Sequence, residues 1–270
     1  MIVFPNGKIN LGLRVVRKRT DSYHDISSYM IPISLSDALE MVPSPDTFHY
    51  TSSGLPVGGT PEENLCVKAF RFMQKTYDIA PVNIHLHKVI PLGAGLGGGS
   101  SDATFALSLL RRLFDLKFCN NELETMAGML GSDCPFFVDN KAQLIEARGT
   151  PARKFLHLPD YHIVVVVPPV AISTSWAYSH VIPSGEVMPD EAVLLNHEDN
   201  WRGLLVNDFE AAVFKDFPVI ERIKAQLYDA GAFYASMSGS GSAVYGLFKE
   251  QPDCRPLFKN LFVWEGKLLT

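Results

Sequence analysis

Two periodicities run along this chain, and the changes from one to the other mark its elements. Apolar side chains alternate through residues 9–16, which predicts a strand, and the period of two puts Lys8 and Asn10 on one face. A polar turn over residues 17–25 carries Tyr23 and His24, and residues 31–42 read as further strand with a turn near Ser36 and Asp37. Residues 51–60, rich in Ser, Gly and Pro, predict an exposed loop. The spacing then shifts to helical. Residues 61–64 open a helix with acids in its first turn, and Leu65, Ala69, Phe72, Met73 and Tyr77 make its apolar face. Residues 83–88 alternate again as a half-buried strand, Ile84 and Leu86 facing inward and His85 and His87 facing solvent.

A helix over about 101–114 follows, striped by Ala103, Ala106, Leu107, Leu110, Leu113 and Phe114. Another spans about 121–130 and stops at Gly131. Residues 146–159, with a turn at 148–151, look like a change of unit. The β-branched run 163–167 predicts a fully buried strand, and 183–199 an irregular polar excursion. One helical stretch begins at 207–210, and a second, marked by Val219, Ile220, Ile223 and Leu227, stops at Gly231. Strand 244–248 follows a loop of small residues, 235–243, which on its own reads equally as a Gly/Ser hairpin turn.

The chemistry concentrates between the strand 83–88 and the next helix, in Pro91-Leu92-Gly93-Ala94-Gly95-Leu96-Gly97-Gly98-Gly99-Ser100-Ser101. Glycines are entropically expensive, and their usual purpose there is close approach of main-chain N–H groups to an anion at a helix N-terminus. The stretch satisfies Gly-x-Gly-x-x-Gly, but the acid that should hold a ribose about 20 residues on has no strand behind it. No Gly-Lys-Ser/Thr follows the glycines, so the P-loop reading fails as well. A cradle of this kind takes its cation from elsewhere, from Lys8 or from a bound Mg²⁺.

Other polar positions leave alternatives open. Asp133, between Gly131 and the Pro135-Phe136-Phe137 block, suits a reactive carboxylate or a turn cap. Asn64 suits helix-start chemistry or a ligand contact, and Tyr23 and His24 suit ligand binding or a local turn. Net charge is −5 with 47% hydrophobic and 20% charged residues, so no broad basic field exists for nucleic acid or anionic membrane. The longest apolar run, from residue 163 to 172, is too short for a bilayer and holds Pro168 and Pro169. No signal peptide is evident, and four widely spaced cysteines argue against structural zinc and disulfides. The expected location is the cytoplasm.

Several of these stretches, in this order, resemble the GHMP kinase superfamily, which includes galactokinase, homoserine kinase and mevalonate kinase. Lys8-Ile9-Asn10-Leu11 is similar to its first motif, the glycine stretch through Asp102 and Ala103 to its nucleotide loop, and Ser238-Gly239-Ser240-Gly241 to its third. Tyr23-His24 and 131–137 narrow the resemblance to members whose acceptor carries a cytidine diphosphate moiety, although Ser22 stands where glycine is usual. The resemblance covers about residues 5–248. It implies an α+β, two-domain GHMP kinase fold. Residues 1–152 would form a ribosomal protein S5 domain 2-like ATP-binding domain and 153–270 a ferredoxin-like substrate domain, with the active site in the cleft between them.

It further implies an ATP-dependent kinase, using Mg²⁺, that phosphorylates a hydroxyl in isoprenoid precursor synthesis, as a monomer or weak homodimer. Asp133 would be the general base and Lys8 its paired cation. Asn64, Lys88 and the loop 91–101 would hold ATP. Asn10, Tyr23, His24, Thr174 and Tyr178 would hold the cytidine end, and Ser100 or Ser101 would reach Mg²⁺. The alternatives are a homoserine- or mevalonate-type kinase, a non-catalytic nucleotide-binding protein, or a dinucleotide oxidoreductase with a parallel sheet.

Overall fold

The alternating segments become strands and the helical stretches become helices in the computed structural model, which describes residues 1–269. Strands β1 (Ile2–Val3), β2 (Asn6–Lys18), β3 (His24–Ser36), β4 (Ala38–Pro43) and β5 (His49–Gly54) come first. Helix α1 (Leu65–Tyr77), strand β6 (Val82–Lys88) and helices α2 (Gly98–Leu113), α3 (Asn120–Leu130) and α4 (Phe136–Asp139) follow. Next come β7 (Gln143–Ala147), β8 (Thr150–Phe155), β9 (His162–Val167) and five short helices. These are α5 (Thr174–His180), α6 (Glu191–Asn196), α7 (Trp201–Leu204), α8 (Glu210–Asp216) and α9 (Pro218–Asp229). Strands β10 (Tyr234–Met237), β11 (Val244–Phe248) and β12 (Phe262–Lys267) finish the described chain.

Contacts group the described residues into two compact units, 1–7, 35–92 and 97–140 in the first and 8–34, 93–96 and 141–269 in the second. The units interleave along the chain: β2 and β3 group with the later residues, sharing a sheet with β7 and β8. In the first unit the sheet runs β1-β4-β6-β5, with β5 parallel to β6 and the other pairs antiparallel. Its core joins Leu39, Met41, Ile84 and Leu86 of the sheet to Phe70, Met73, Ala106 and Leu110 of α1 and α2. Alanines at 103 and 106 let α2 pack closely among its neighbours.

The second unit holds two four-stranded sheets, β2-β3-β7-β8 and β10-β11-β9-β12. Strand β9 is central in the latter, paired antiparallel to β11 and β12, and Ile163 to Val166 are fully buried. That two-sided burial explains the unbroken β-branched run. Val164, Val166, Val244, Ile220, Ile223 and Leu227 form the core between this sheet and α9.

Three expectations need correction. Of the loop expected over 51–60, residues 51–54 belong to edge strand β5, whose side chains are polar because its outer row meets solvent. Thr51 and Ser53 there bond His85 and His87. The excursion 183–199 contains α6, whose only buried side chain is Leu194, too little apolar pattern to read. On α1, Cys66, Val67 and Phe70 are buried while Leu65, Phe72 and Tyr77 are only partly so, because the helix packs on both the sheet and α2.

Candidate active site

In the second unit, one hydroxyl joins three segments far apart in sequence. Ser238 Oγ donates to Gly95 O (2.8 Å) and accepts from Asn10 N (3.3 Å). Alongside it, Lys8 N donates to Leu96 O (2.9 Å) and Ala243 N to Ala94 O (3.0 Å). The start of β2, the first half of the glycine loop and the 238–243 loop are therefore knitted together through main chain. Approach is so close that a Cβ on Gly95, whose φ is +78°, would lie 2.1 Å from Ser238 O. Lys8 and Asn10 share a face as the period predicts. Lys8 Nζ donates to Asn10 Oδ1 (2.5 Å), and Asn10 Nδ2 donates to Ser28 Oγ (2.8 Å), which fixes the amide's orientation.

Asn207 was legible only as part of a helix start. Its buried amide donates to Met237 O (2.8 Å) and Gly239 O (2.9 Å), holding the third-motif loop, while its Oδ1 accepts from Phe209 N. An isolated bridge between Leu13 and Asn207 sets its position.

In the first unit, α2 begins at Gly98 with Gly97 as N-cap, a residue with no side chain to bond the first N–H groups, which suits an anion there. The turn carrying Asp133 is pinned beside this helix start. The Thr104 hydroxyl reaches Cys134 O (2.9 Å) and Ser100 O (3.0 Å), and Cys134 N donates to Gly131 O. A Cβ on Gly131 would come 3.7 Å from Ser100 Oγ. Asp133 is half-buried. Burial pushes the neighbouring Cys134 thiol up to about 11, so that sulfur stays a neutral packing group. Ser100 is half-buried, whereas Ser101 Oγ is fully buried and bonds no described residue.

Beside the same helix start lies a cavity of about 190 Å³ walled by Asn64, Leu65, Lys88, Leu92, Gly99 and Asp102 among others. The structure thus gathers four of the residues expected to hold ATP: Asn64, Lys88, Leu92 and Gly99. Asn64 caps α1, its Oδ1 accepting from Cys66 N (2.8 Å) and its Nδ2 donating to Tyr50 Oη (2.9 Å). Lys88 is fully buried against Asp37 and Asp102.

The aromatic residues expected at the acceptor also meet, within the second unit. His24 stacks on Tyr178 with ring centroids 4.9 Å apart, and Phe209 backs Tyr178 edge-on at 4.9 Å. Burial, aided by the charge of Lys18, lowers the His24 pKa and favours a neutral imidazole. Thr174, at the start of α5, lies with its hydroxyl 3.4 Å from that of Ser240. Ser22 takes φ +67°, so it keeps the left-handed backbone that glycine would supply. Tyr23 is exposed, and Arg148 lies 3.7 Å over its ring. That arginine was read only as part of a turn.

Residues 64–141 match the GHMP kinases N terminal domain and residues 191–254 the GHMP kinases C terminal domain. A 4-diphosphocytidyl-2-C-methyl-D-erythritol kinase of Parabacteroides distasonis is 46% identical over 99% of this chain and 100% of its own length. The chain belongs to the GHMP kinase family. A crystal structure of 4-(cytidine 5'-diphospho)-2C-methyl-D-erythritol kinase superposes with a TM-score of 0.84 at 32% identity, covering 100% of both chains. A homoserine kinase from Cytophaga hutchinsonii shares the fold alone, with a TM-score of 0.58 at 17% identity over 97% of this chain and 94% of that one. The two-domain α+β GHMP kinase fold and ATP-dependent kinase chemistry follow from this membership. Among the described residues, no helix is long and apolar enough to cross a membrane. None of them forms a cluster of three or more His, Cys, Asp or Glu suited to a metal ion.

Two substitutions probe these joints. Gly95→Ala forces a Cβ into a carbonyl at a positive φ and is expected to cost more than about 3 kcal/mol by thermal or denaturant unfolding. Gly93→Ala, also at positive φ but with nothing within 4 Å of the new Cβ, is the control and should cost only about 1–2 kcal/mol. Thr104→Val keeps shape but releases the Asp133 turn; steady-state kinetics should show kcat down about five- to tenfold with KM for ATP within about twofold.

Proposed function

We propose that this GHMP kinase transfers the γ-phosphoryl group of ATP to the 2-hydroxyl of 4-diphosphocytidyl-2-C-methyl-D-erythritol. The products are the 2-phosphate and ADP, in the non-mevalonate route to isoprenoid precursors. The observation that carries the reading is likeness over the whole chain, 46% identity across 99% of its residues, to a kinase of that name. The stacked His24–Tyr178 pair supports it, because a cytosine needs an aromatic face and a polar edge. The homoserine-type alternative has likeness of fold only.

Phosphoryl transfer asks a protein chiefly for positioning and charge stabilisation. Residues 91–99 and the first turn of α2 cradle the phosphates of ATP through main-chain N–H groups, with the helix dipole adding partial positive charge. Asp133 takes the proton from the acceptor hydroxyl as it attacks the γ-phosphorus and the bond to the β-phosphate oxygen breaks. Lys8, oriented by Asn10, offsets negative charge gathering on the transferred group. Ser238, Gly239, Ser240 and Gly241 back the loop from behind. Tyr23, His24, Thr174 and Tyr178 hold the cytidine end, Tyr23 after Arg148 leaves one ring face or through the other.

Mg²⁺ takes few protein ligands beside several phosphate oxygens and waters. Ser100 is the better placed hydroxyl for Mg²⁺, since Ser101 Oγ has no accessible surface. When bound, Mg²⁺ supplies charge neutralisation on the β- and γ-oxygens. We assign nucleotide binding to residues 1–152 and the remainder of the acceptor site to 153–270, and we place the enzyme in the cytoplasm, where its ATP is.

ADP release should be seen with the cytidyl substrate and not with free 2-C-methylerythritol phosphate, homoserine or mevalonate. Turnover on homoserine or mevalonate alone would replace the acceptor while keeping the kinase. Asp133→Asn should leave ATP affinity near normal and lower kcat by about a hundredfold or more, the loss expected of a general base; near-normal kcat removes Asp133 from that role.

A further inference from the structure

The ammonium group of Lys88, expected to help hold ATP, is already engaged. It donates to Asp102 Oδ2 (2.8 Å) and to Asp37 Oδ2, and the three side chains are 0%, 4% and 0% exposed in that order. Asp37 Oδ1 accepts two main-chain bonds, from Val89 N (2.6 Å) and Ile90 N (2.8 Å), where the chain leaves β6 for the glycine loop. Asp102 belongs to the first turns of α2, on the far side of that loop. The lysine passes directly under the helix start, and a Cβ on Gly98 would come 2.9 Å from its Nζ. The same Cβ would lie 2.9 Å from Ile90 Cγ2, so one of the three consecutive glycines is required by buried packing, apart from any phosphate above it.

Two buried carboxylates on one ammonium carry a heavy desolvation cost, and Asp102 Oδ1 accepts no hydrogen bond from a described residue. Burial and the nearby Asp37 charge hold the Asp102 carboxyl well above the usual range. Replacing a buried ionic cluster by apolar side chains is often neutral or stabilising, so stability alone does not account for the arrangement.

We propose that Asp37, Lys88 and Asp102 act together as a positioning clamp, in which Lys88 ties the exit of β6 to the start of the second turn of α2 and thereby aims the loop's N–H groups, instead of binding the nucleotide with its ammonium. The inference rests on the reading of that loop as the ATP cradle.

The decisive comparison is Lys88→Met against the double variant Lys88→Met/Asp102→Asn. The single change cuts the tie between Asp37 and Asp102 and leaves two carboxyls, one of which must hold a proton, and KM for ATP should rise about tenfold or more with a smaller change in kcat. The second change puts a neutral amide that can donate to Asp37 in place of the Asp102 carboxyl, which rebuilds a link between the two elements, and KM should recover at least about threefold. If the ammonium instead contacts ATP, the double variant is as poor as the single, and the clamp is wrong. Unchanged KM for ATP in all variants, with only the melting temperature lowered, also overturns it.

Should Lys88→Met fail to fold, Asp102→Asn and Asp37→Asn keep the lysine in place. The clamp requires KM for ATP to rise in both, and more for Asp37, which holds three bonds to the single bond of Asp102. Unchanged KM in both refutes it. Calorimetric titration of the same variants with ATP and Mg²⁺, in the absence of acceptor, gives the same ranking as Kd. Failure of turnover on every acceptor would then count against the proposed reaction and leave the clamp separately tested.

Discussion

The Ser238 hydroxyl sits at the point on which the rest of the second unit's site depends. It donates to the glycine loop at Gly95 and accepts from β2 at Asn10, across sequence separations of 143 and 228 residues. Lys8 is aimed by its bond to Asn10, and Asn10 is held by Ser28 and by main chain at this junction. The third-motif loop that presents Ser238 is in turn held by Asn207. A chain of buried, directional bonds of this sort fixes geometry more than it adds stability, since each is worth only about 1 kcal/mol net.

Much of this was readable before any coordinates. Strands with one face to solvent, such as β6, announce themselves by alternation, and long amphipathic helices such as α2 by their stripes. Lys8 and Asn10 fall on one face because a strand has a period of two. The glycine loop was legible because repeated glycines before a helix have few other purposes. Elements with little buried apolar surface escaped. Strand β5 is polar at a sheet edge, and α6 buries a single leucine.

The residues that hold other residues in place were the hardest to see. Asn207 looks like an ordinary helix start, Arg148 like a turn residue, and Asp37 like a break between strands. Their importance comes from partners brought close only by the fold, as when Asp37 meets Lys88 and the amides of Val89 and Ile90. Lys88 shows the reverse: family resemblance marks the position, while its surroundings decide what the ammonium does. Spacing along a chain carries information about faces and turns. It carries none about which carboxylate a buried lysine will find.

The long span of the Ser238 junction bears on how the protein is made. Residues 8–10 and 93–96 leave the ribosome early, at roughly 5–20 residues per second, yet the hydroxyl that joins them is not synthesised until residue 238. Loops of that length are slow to close, and their entropy is lost before the contacts they permit are gained. Residues 93–96 thus gain their anchor on Ser238 only late in synthesis, whereas the ties among Asp37, Lys88 and Asp102 need nothing beyond residue 102.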